Sequence, residues 1–430
     1  MKFIFSKHGF VFIKTLLVGQ TILLAALFTI RCAKKAQPPQ EVPEQDYKNR
    51  SIKETLSVVA HRQLRELGDG EYKRGDWAAV EASRPPKGVD WQYPWGVTLY
   101  GLLYANEKVL QDPKILSFVR QHNEIAARQY DYLSWQVKTF GKYVNPAGLE
   151  ELMKLYMLDH CGAMAAQMLE GILRHQIRPT PEIEALLHRV AEFISHQQSR
   201  LPNGVFWRPE SHAGASLWID DLYMSCPFLV RWHQYTGEQK YLDDAAAQII
   251  GFASYTQDTD GLWYHGYFFD QNQRSPYKWG RANGWVVVAT VEVLSAMPAN
   301  HPERGKVLAI FQKQVEGLVS YQAASGLWHQ VLDHRELWEE TSCSAMFAYA
   351  IARAVNRGWI EKDYLNIAQK TFAGLNSRIT RDGALIGVCQ GTSIGENLDY
   401  YLTRQRPFDD DHGHGAVLLA LTELIVAQNQ

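Results

Sequence analysis

A short turn motif recurs along the second half of this 430-residue chain at nearly equal steps. Each copy has a polar residue, a glycine and then apolar or aromatic residues, and the copies centre on Gly204, Gly261, Gly326 and, more weakly, Gly383. The steps between these glycines are 57, 65 and 57 residues. Because near-equal steps indicate repeated supersecondary units, the sequence predicts a fold assembled from copies of one unit.

Two kinds of helix-length segment alternate along the chain. One kind is amphipathic, with apolar residues at the three-four spacing of a half-buried helix, and the other is apolar on nearly all sides, as buried helices are. The amphipathic segments are 47–67, 114–130, 181–199, 239–256, 303–322 and 361–379, and the apolar segments are 95–110, 159–176, 220–235, 283–297, 342–356 and 413–428.

Six segments of each kind in strict alternation predict six helical hairpins. Closing the hairpins into a ring gives an all-α (α/α)6 barrel whose apolar helices surround the axis. An open solenoid is the alternative, although repeats of about sixty residues are long for the common solenoids. The valines at 286–288 and 291 locally favour a strand, and we expect the register of the repeats to override that preference.

Composition excludes several protein classes. With 46% apolar and 21% charged residues, the chain is globular rather than disordered or multi-span membrane. A net charge of −2 supplies no basic field for nucleic acid. The 13 tryptophans and 21 tyrosines offer flat faces that suit sugar rings, although they also fill ordinary cores.

Residues 1–32 are typical of an export signal. Lysines precede an apolar run at 15–30, which is shorter than the roughly twenty residues of a spanning helix, so a cleaved signal peptide is favoured. Lipidation at Cys32 is a second interpretation, although Arg31 is not the small residue that lipoprotein signals require, and an uncleaved anchor is a third. Export predicts a periplasmic or cell-surface location, with no membrane span in the mature chain.

The proline-rich residues 33–46 are predicted to be a linker, and residues 47–430 a single (α/α)6-barrel catalytic domain. No CxxC motif occurs among the remaining cysteines, and each lies in an apolar helical context, so we expect buried thiols rather than disulfides. These cysteines are Cys161, Cys226, Cys343 and Cys389.

The loops that enter the apolar helices carry the unusual residues. Asp159, Asp220 and Arg281 are separated by 61 residues each. A constant step places them at one height on one rim of the ring, so we expect them to converge on one pocket. An aspartate at a helix start is ordinarily a cap worth about 1 kcal/mol, but two carboxylates together with Arg281, His265 and tryptophans in adjacent repeats favour a sugar-processing site.

His412 and His414 lie beside three aspartates and could form part of a metal site. The intervening glycines and the lack of matching ligands elsewhere in the sequence favour a polar loop instead. No phosphate-binding glycine loop after a strand and no GxSxG elbow occurs. We therefore expect neither a metal ion nor another cofactor.

Eight segments carry a family resemblance. They are LDHCGAM (158–164), WIDDLYMSCPFL (218–229), GLWYHGYF (261–268), KWGRANGWVVVA (278–289), GLWHQVLD (326–333), ETSCSAMFAYAIARAVNRGWI (340–360), GVCQGT (387–392) and DHGHGAVLLALTE (411–423). Over nearly all of residues 50–430 the chain resembles glycoside hydrolase family 105, the unsaturated rhamnogalacturonyl hydrolases, a family related to the unsaturated glucuronyl hydrolases of family 88. The resemblance implies an (α/α)6 barrel, in agreement with the repeat count.

The resemblance also implies the chemistry. The substrate is an acidic oligosaccharide made by a polysaccharide lyase, and its non-reducing uronate carries a C4=C5 double bond. An aspartic acid protonates C4, positive charge develops at C5, and water adds there. The resulting hemiketal opens and releases the remaining glycan, so one carboxyl serves as acid and then as base, unlike the two-carboxylate scheme of ordinary glycosidases.

Matched position by position, Asp220 in WIDD corresponds to the family's catalytic acid/base and Asp159 in LDHCG to its second carboxylate. Asp221 is interpreted as a cap or support residue. The family pattern WGRGNGW reads WGRANGW here, a small departure at Ala282. The predicted substrate-binding residues are Arg281 as a fork for the uronate carboxylate, Trp218 and Trp285 beside the sugar ring, and His265, His212, Tyr93 and Trp95.

Several functions remain open at this stage. Unsaturated galacturonyl-rhamnose from pectin is the first choice of substrate. An unsaturated β-glucuronyl hydrolase acting on ulvan or on other glucuronate-containing oligosaccharides is the alternative. From other classes, a sugar epimerase would need histidine bases on opposite faces of the sugar, and a non-catalytic glycan-binding protein would not need the carboxylate pair.

Overall fold

The computed structural model describes residues 41–43 and 47–429, so the predicted signal peptide, Cys32 and most of the predicted linker lie outside the described residues. Between residues 47 and 429, twelve helices of at least eleven residues form six hairpins. The first helices of the hairpins are α1 (Ile52–Arg62), α3 (Pro113–Phe140), α5 (Pro181–Glu192), α7 (Gln239–Thr256), α9 (Arg304–Ser320) and α11 (Leu365–Asn376). The second helices are α2 (Tyr93–Ala105), α4 (Gly162–Leu173), α6 (Asp221–Thr236), α8 (Gly280–Ala296), α10 (Thr341–Asn356) and α12 (His414–Gln428).

The even-numbered helices form a closed inner ring. Each packs against the next one along the chain, and α12 packs against α2. Helices α8 and α10 are buried along almost their whole length, including the valines at 286–288 and 291. The (α/α)6 prediction is therefore confirmed, and burial in the ring overrides the local strand preference of those valines.

Local signals account for several helix boundaries. Ser51 and Glu54 form a reciprocal capping box at the start of α1, and Asp112 caps α3 ahead of Pro113. Helix α3 continues to Phe140, ten residues beyond the predicted end, and stops at Gly141 in the left-handed conformation, with φ of 70°.

The repeated glycines share one backbone conformation. Gly204, Gly261, Gly326 and Gly383 have φ values of 86°, 88°, 90° and 87°, a region that residues with a Cβ rarely adopt. A Cβ at Gly261 would lie 1.9 Å from the Lys313 carbonyl oxygen of α9. The repeat motif is therefore the point at which a turn contacts the first helix of the next hairpin.

Short strands fix the loops at the N-terminal ends of the inner helices. Strands β1 (Ser216–Trp218), β2 (Gly266–Phe268) and β3 (Gln273–Arg274) form an antiparallel sheet in that order, and β4 (Trp328–His329) pairs with β5 (Glu339–Glu340). Short α-helices also lie at Trp77–Glu81, Glu150–Met153 and Leu398–Leu402, and 3-10 helices at Leu158–His160 and Lys362–Tyr364.

A buried ionic layer crosses the inner ring toward the other ends of its helices. Arg231 of α6 donates to Glu170 of α4 and to Glu292 of α8, both at 2.6 Å. Glu170, Arg231 and Glu292 are also separated by 61 residues each. They lie eleven residues after Asp159, Asp220 and Arg281, respectively. Eleven residues are about three helical turns, or roughly 16 Å, so the layer lies below the predicted rim.

The remaining inner helices complete the ionic layer. Tyr100 of α2 and Tyr349 of α10 donate to Glu292, and Arg353 of α10 and Tyr104 of α2 donate to Glu423 of α12. All six inner helices thus contribute to the layer, which the sequence analysis did not predict.

The cysteine prediction is confirmed, because Cys161, Cys226, Cys343 and Cys389 are buried free thiols. In the part of the chain that the structure describes, no helix combines the length and hydropathy needed to cross a membrane.

Candidate active site

The N-terminal ends of the inner helices meet at one end of the ring. Gly162, the first residue of α4, allows close contact with α6, since a Cβ there would lie 1.6 Å from the Met224 carbonyl oxygen. This contact brings Asp159, which precedes α4, and Asp220, which precedes α6, to the same place. Because helix N-termini carry partial positive charge, this end of the ring favours anions.

Asp220 faces a buried imidazole. In the β1–β2 register Trp218 pairs with Gly266, and the next pair brings the Ile219 amide to the His265 carbonyl. This register places His265 Nε2 3.3 Å from Asp220 Oδ2. Neither of these two buried atoms has a hydrogen-bond partner, so Asp220 Oδ2 lies next to the imidazole without a hydrogen bond.

A tyrosine from a distant loop orients His265. The Tyr401 hydroxyl accepts a hydrogen bond from the Gly395 amide and lies 2.8 Å from His265 Nδ1. We assign the Tyr401 O–H as the donor to Nδ1, which puts the imidazole proton on Nε2. His265 then presents an N–H toward Asp220.

Arg208 is the main site residue that the sequence analysis missed. Its Nη2 lies 3.0 Å from Asp159 Oδ2, and its Nε and Nη2 bind the two oxygens of Asp221 at 3.0 and 2.6 Å. Its guanidinium carbon lies 4.6 Å from the centre of the Trp218 ring. Arg208 therefore joins carboxylates from two hairpins and stacks on a predicted sugar-binding tryptophan.

Asp221 is the buried acid of the cluster. Burial raises its pKa to about 6, against the opposing charge and hydrogen bonds of Arg208. Both of its oxygens accept from Arg208, so it is fully occupied in holding that side chain.

Arg281 lies deeper than its predicted role requires. Its guanidinium is completely buried and donates through Nη1 to the Cys389 carbonyl and through Nη2 to the Gln390 carbonyl at 2.7 Å. It therefore holds the 387–392 loop against the ring. A fork to a uronate carboxylate would have to replace these bonds, and that role stays a prediction.

The predicted aromatic residues divide into two groups. Trp218 lies beside the acids in a small cluster with Phe268 and Ile394, and Tyr93 meets Trp285 edge-on, with ring centres 6.0 Å apart. Trp285 is 1% exposed. It therefore packs under Tyr93 in the core and does not present a face to a sugar ring.

Two predicted residues make no contact with the acid cluster. The Trp95 indole donates to His122 Nε2 at 2.9 Å, and its ring packs on Phe118 of α3. His212 lies exposed in the 209–214 loop that precedes β1. Sequence position places both residues near the ends of the inner helices, but it does not determine where their side chains point.

The His412–His414 loop is used for hydrogen bonds to aspartates. Asp410 Oδ1 lies 2.6 Å from His412 Nδ1, and His412 Nε2 lies 2.8 Å from the Tyr93 hydroxyl. His414 Nε2 lies 2.9 Å from a different aspartate, Asp409. The two histidines therefore have separate partners, and only His412 contacts the site.

A family comparison decides the class of this site. The family model described as Glycosyl Hydrolase Family 88 matches residues 74–428. The chain belongs to glycosyl hydrolase family 88. As a family 88 member it is a glycosidase, in agreement with the resemblance found in the sequence.

Relatives of this family 88 enzyme include two curated proteins and a solved structure. The unsaturated rhamnogalacturonyl hydrolase YesR of Bacillus subtilis (strain 168) is 30% identical over 241 residues, 55% of this chain and 67% of the relative. An unsaturated 3S-rhamnoglycuronyl hydrolase of Alteromonas sp. (strain LOR) is 26% identical over 49% of this chain and 51% of the relative. A family 105 glycoside hydrolase from C. acetobutylicum ATCC 824 superposes with a TM-score of 0.63 at 26% identity, covering 78% of this chain and 94% of the other.

Proposed function

We propose that this glycosidase removes a 4,5-unsaturated uronate from the non-reducing end of lyase-generated oligosaccharides by hydrating the C4=C5 double bond. The observation that carries the proposal is the difference in hydrogen bonding among three carboxylates. Asp159 and Asp221 accept hydrogen bonds from Arg208, whereas Asp220 Oδ2 has none. Asp220 is therefore the one of these three carboxyl groups that Arg208 does not bind, and we assign the proton transfer to it.

The proposed mechanism follows from this arrangement. Asp220 protonates C4, and the positive charge that develops at C5 and the ring oxygen is stabilised by the carboxylates of Asp220 and Asp159. Asp220 then accepts a proton from the water that adds to C5, and the hemiketal opens to release the glycan. His265 Nε2 lies 3.3 Å from Asp220 Oδ2, and Tyr401 fixes the orientation of this imidazole.

The first substrate we propose is unsaturated galacturonyl-rhamnose from pectin, and the similarity to the unsaturated rhamnogalacturonyl hydrolase of Bacillus subtilis supports it. Unsaturated glucuronyl-rhamnose from ulvan is the second candidate, and the similarity to the unsaturated 3S-rhamnoglycuronyl hydrolase of Alteromonas supports it. Both substrates present the same unsaturated acidic ring to Asp220 and differ in the stereochemistry and substituents of the rest.

A panel of lyase digests tests the proposal. The purified enzyme is incubated with unsaturated fragments of rhamnogalacturonan, ulvan and glycosaminoglycans, and the ultraviolet absorbance of the conjugated enol ether is followed. We expect that absorbance to disappear with at least one rhamnose-linked fragment while a shorter saccharide is released. Binding without turnover would identify a glycan-binding protein, and isomerisation of saturated sugars would identify an epimerase.

Glu151 gives the reaction a specific pH dependence. Burial raises its pKa to about 7, and the charges of Asp159 and Asp90 add to the effect. As the pH rises through this value, Glu151 ionises and places a further negative charge beside Asp159. We therefore expect the KM for the acidic substrate to rise two- to fivefold between one pH unit below and one pH unit above this pKa. A change of that size corresponds to a repulsion below about 1 kcal/mol, as expected between partly exposed charges.

The Glu151→Gln variant isolates this effect. Its KM should be flat over the same range. Glu150→Gln, at the exposed neighbouring position, should keep the rise in KM but at a slightly lower pH, because the Glu150 charge also raises the Glu151 pKa. An equal rise in KM in wild type and in Glu151→Gln would assign the pH dependence to another group.

A further inference from the structure

A chain of hydrogen bonds links Tyr93, the first residue of α2, to the loop before α12. It runs from Asp410 Oδ1 to His412 Nδ1 over 2.6 Å and from His412 Nε2 to the Tyr93 hydroxyl over 2.8 Å. Side chains of Asp410 and His412 are only 12% and 15% exposed, so water competes little for these bonds. The chain ends at the first residue of α2, on the rim that holds Asp159 and Asp220.

The protons of this chain can be assigned from its chemistry. A carboxylate only accepts hydrogen bonds, so His412 Nδ1 carries the proton that it donates to Asp410. Burial lowers the pKa of His412, and the charge of Arg281 lowers it further against the opposing charges of Asp410 and Asp411. The imidazole is therefore neutral near pH 7, its Nε2 is an acceptor, and Tyr93 must donate its O–H to it.

This assignment fixes what Tyr93 offers to a ligand. Arg281, Asp159 and Asp220 are close enough for their charges to influence Tyr93. Because its proton points to His412, the phenol oxygen has only lone pairs left for the pocket. Burial raises the pKa of Tyr93 above its usual range, so the phenol keeps its proton.

We propose that Asp410 and His412 are positioning residues that turn the Tyr93 hydroxyl proton away from the pocket, so that the phenol oxygen accepts a hydrogen bond from a substrate hydroxyl or from the attacking water. This inference rests on the proposed function for its substrate but not for its proton arrangement. Tyr93 thereby favours a ligand group that donates a hydrogen bond near Asp220, and the carboxylates need not accept that bond.

The tautomer of His412 is a direct test that does not depend on the substrate. In enzyme labelled with 15N-histidine, we expect His412 to show a protonated Nδ1 and an unprotonated, hydrogen-bonded Nε2. The Nε2 resonance should shift in Tyr93→Phe and stay unchanged in His414→Gln, a buried histidine with its own aspartate partner. A protonated Nε2 on His412 in the wild-type enzyme would overturn the proposal.

Kinetics on an unsaturated oligosaccharide test the consequence. We expect His412→Leu and Tyr93→Phe each to lower kcat about tenfold, the loss of roughly one hydrogen bond, with a smaller change in KM. The double variant should be no slower than Tyr93→Phe alone, and His412→Gln, whose amide can serve both neighbours, should recover part of the rate. Additive losses in the double variant would mean that His412 does not act through Tyr93.

The two proposals fail separately. If no unsaturated fragment is turned over but the predicted tautomer of His412 is found, the substrate proposal fails and the proton arrangement stands. If turnover is found and Nε2 is protonated, the reverse holds. Thermal unfolding of each variant identifies any loss that comes from misfolding.

Discussion

Replacing Asp220 with asparagine is expected to lower kcat by roughly a thousandfold or more, toward the upper range for loss of a general acid–base. Asparagine has nearly the shape of aspartate and can keep its place beside His265, but it cannot deliver a proton to C4. Substrate binding should be largely retained, because Arg208, Trp218 and the helix N-termini are unchanged. The enol-ether absorbance reports kcat, and calorimetry on the inactive variant reports the Kd for the unsaturated oligosaccharide.

Asp159→Asn is the matched comparison, since Asp159 lies in the same cluster and is already hydrogen-bonded to Arg208. We expect it to reduce activity less and to raise KM more, because its proposed part is to orient the sugar and stabilise charge. Wild-type turnover by Asp220→Asn would remove Asp220 from the proposed mechanism. The opposite ranking of the two variants would exchange their roles.

The largest expected effect on stability comes from the ionic layer. Arg231→Met leaves Glu292 buried without its cation and leaves Glu170 with Arg174 alone. Removing one partner of a buried ion pair typically costs about 3–5 kcal/mol. We expect the free energy of unfolding, measured by chemical denaturation at pH 7, to fall by that amount.

The same layer sets the acid stability of the enzyme. Burial alone would raise the pKa of Glu170, but Arg231 and Arg174 outweigh it and lower the pKa from 4.5 to about 2. Wild type therefore gains roughly 3 kcal/mol from this group above pH 4.5 and loses it as the pH falls toward 2. In Arg231→Met this gain is reduced, so stability should depend less on acid pH.

A surface pair provides the control for the ionic layer. Lys306 and Glu303 form an exposed ion pair at the start of α9, and Lys306→Met should change the unfolding free energy by less than about 1 kcal/mol. A second variant, Arg231→Met with Glu292→Leu, should recover part of the loss, because it removes the unpaired charge. Equal effects of Arg231→Met and Lys306→Met would show that the layer is not desolvated.

The fold could be predicted because it repeats. The alternation of amphipathic and apolar segments gave the number of hairpins and the faces of the helices, and the 61-residue step gave the rim. The same 61-residue step separates Glu170, Arg231 and Glu292, which lie eleven residues later. The ionic layer could therefore also have been predicted from the sequence. Charged residues inside apolar helices at a fixed step are the signal that was overlooked.

The parts of the site that could not be predicted depend on loops that approach from far along the chain. Tyr401 reaches His265 across 136 residues, and the carbonyls that bind Arg281 come from residues 108 and 109 positions away. An arginine that faces a ligand and one that holds a backbone loop look alike in sequence. Arg208, in contrast, was overlooked although the repeat marks its position, because it lies four residues after Gly204 as His265 lies four residues after Gly261.

Ring closure has a consequence for how the enzyme becomes active during synthesis. The last inner helix, α12, closes the barrel against α2, and the loop before it supplies His412 to the first residue of α2. A nascent chain that still lacks this hairpin has an open arc of helices and a Tyr93 without its partner. We therefore expect full activity only after the hairpin that contains α12 has been synthesised and has packed against α2.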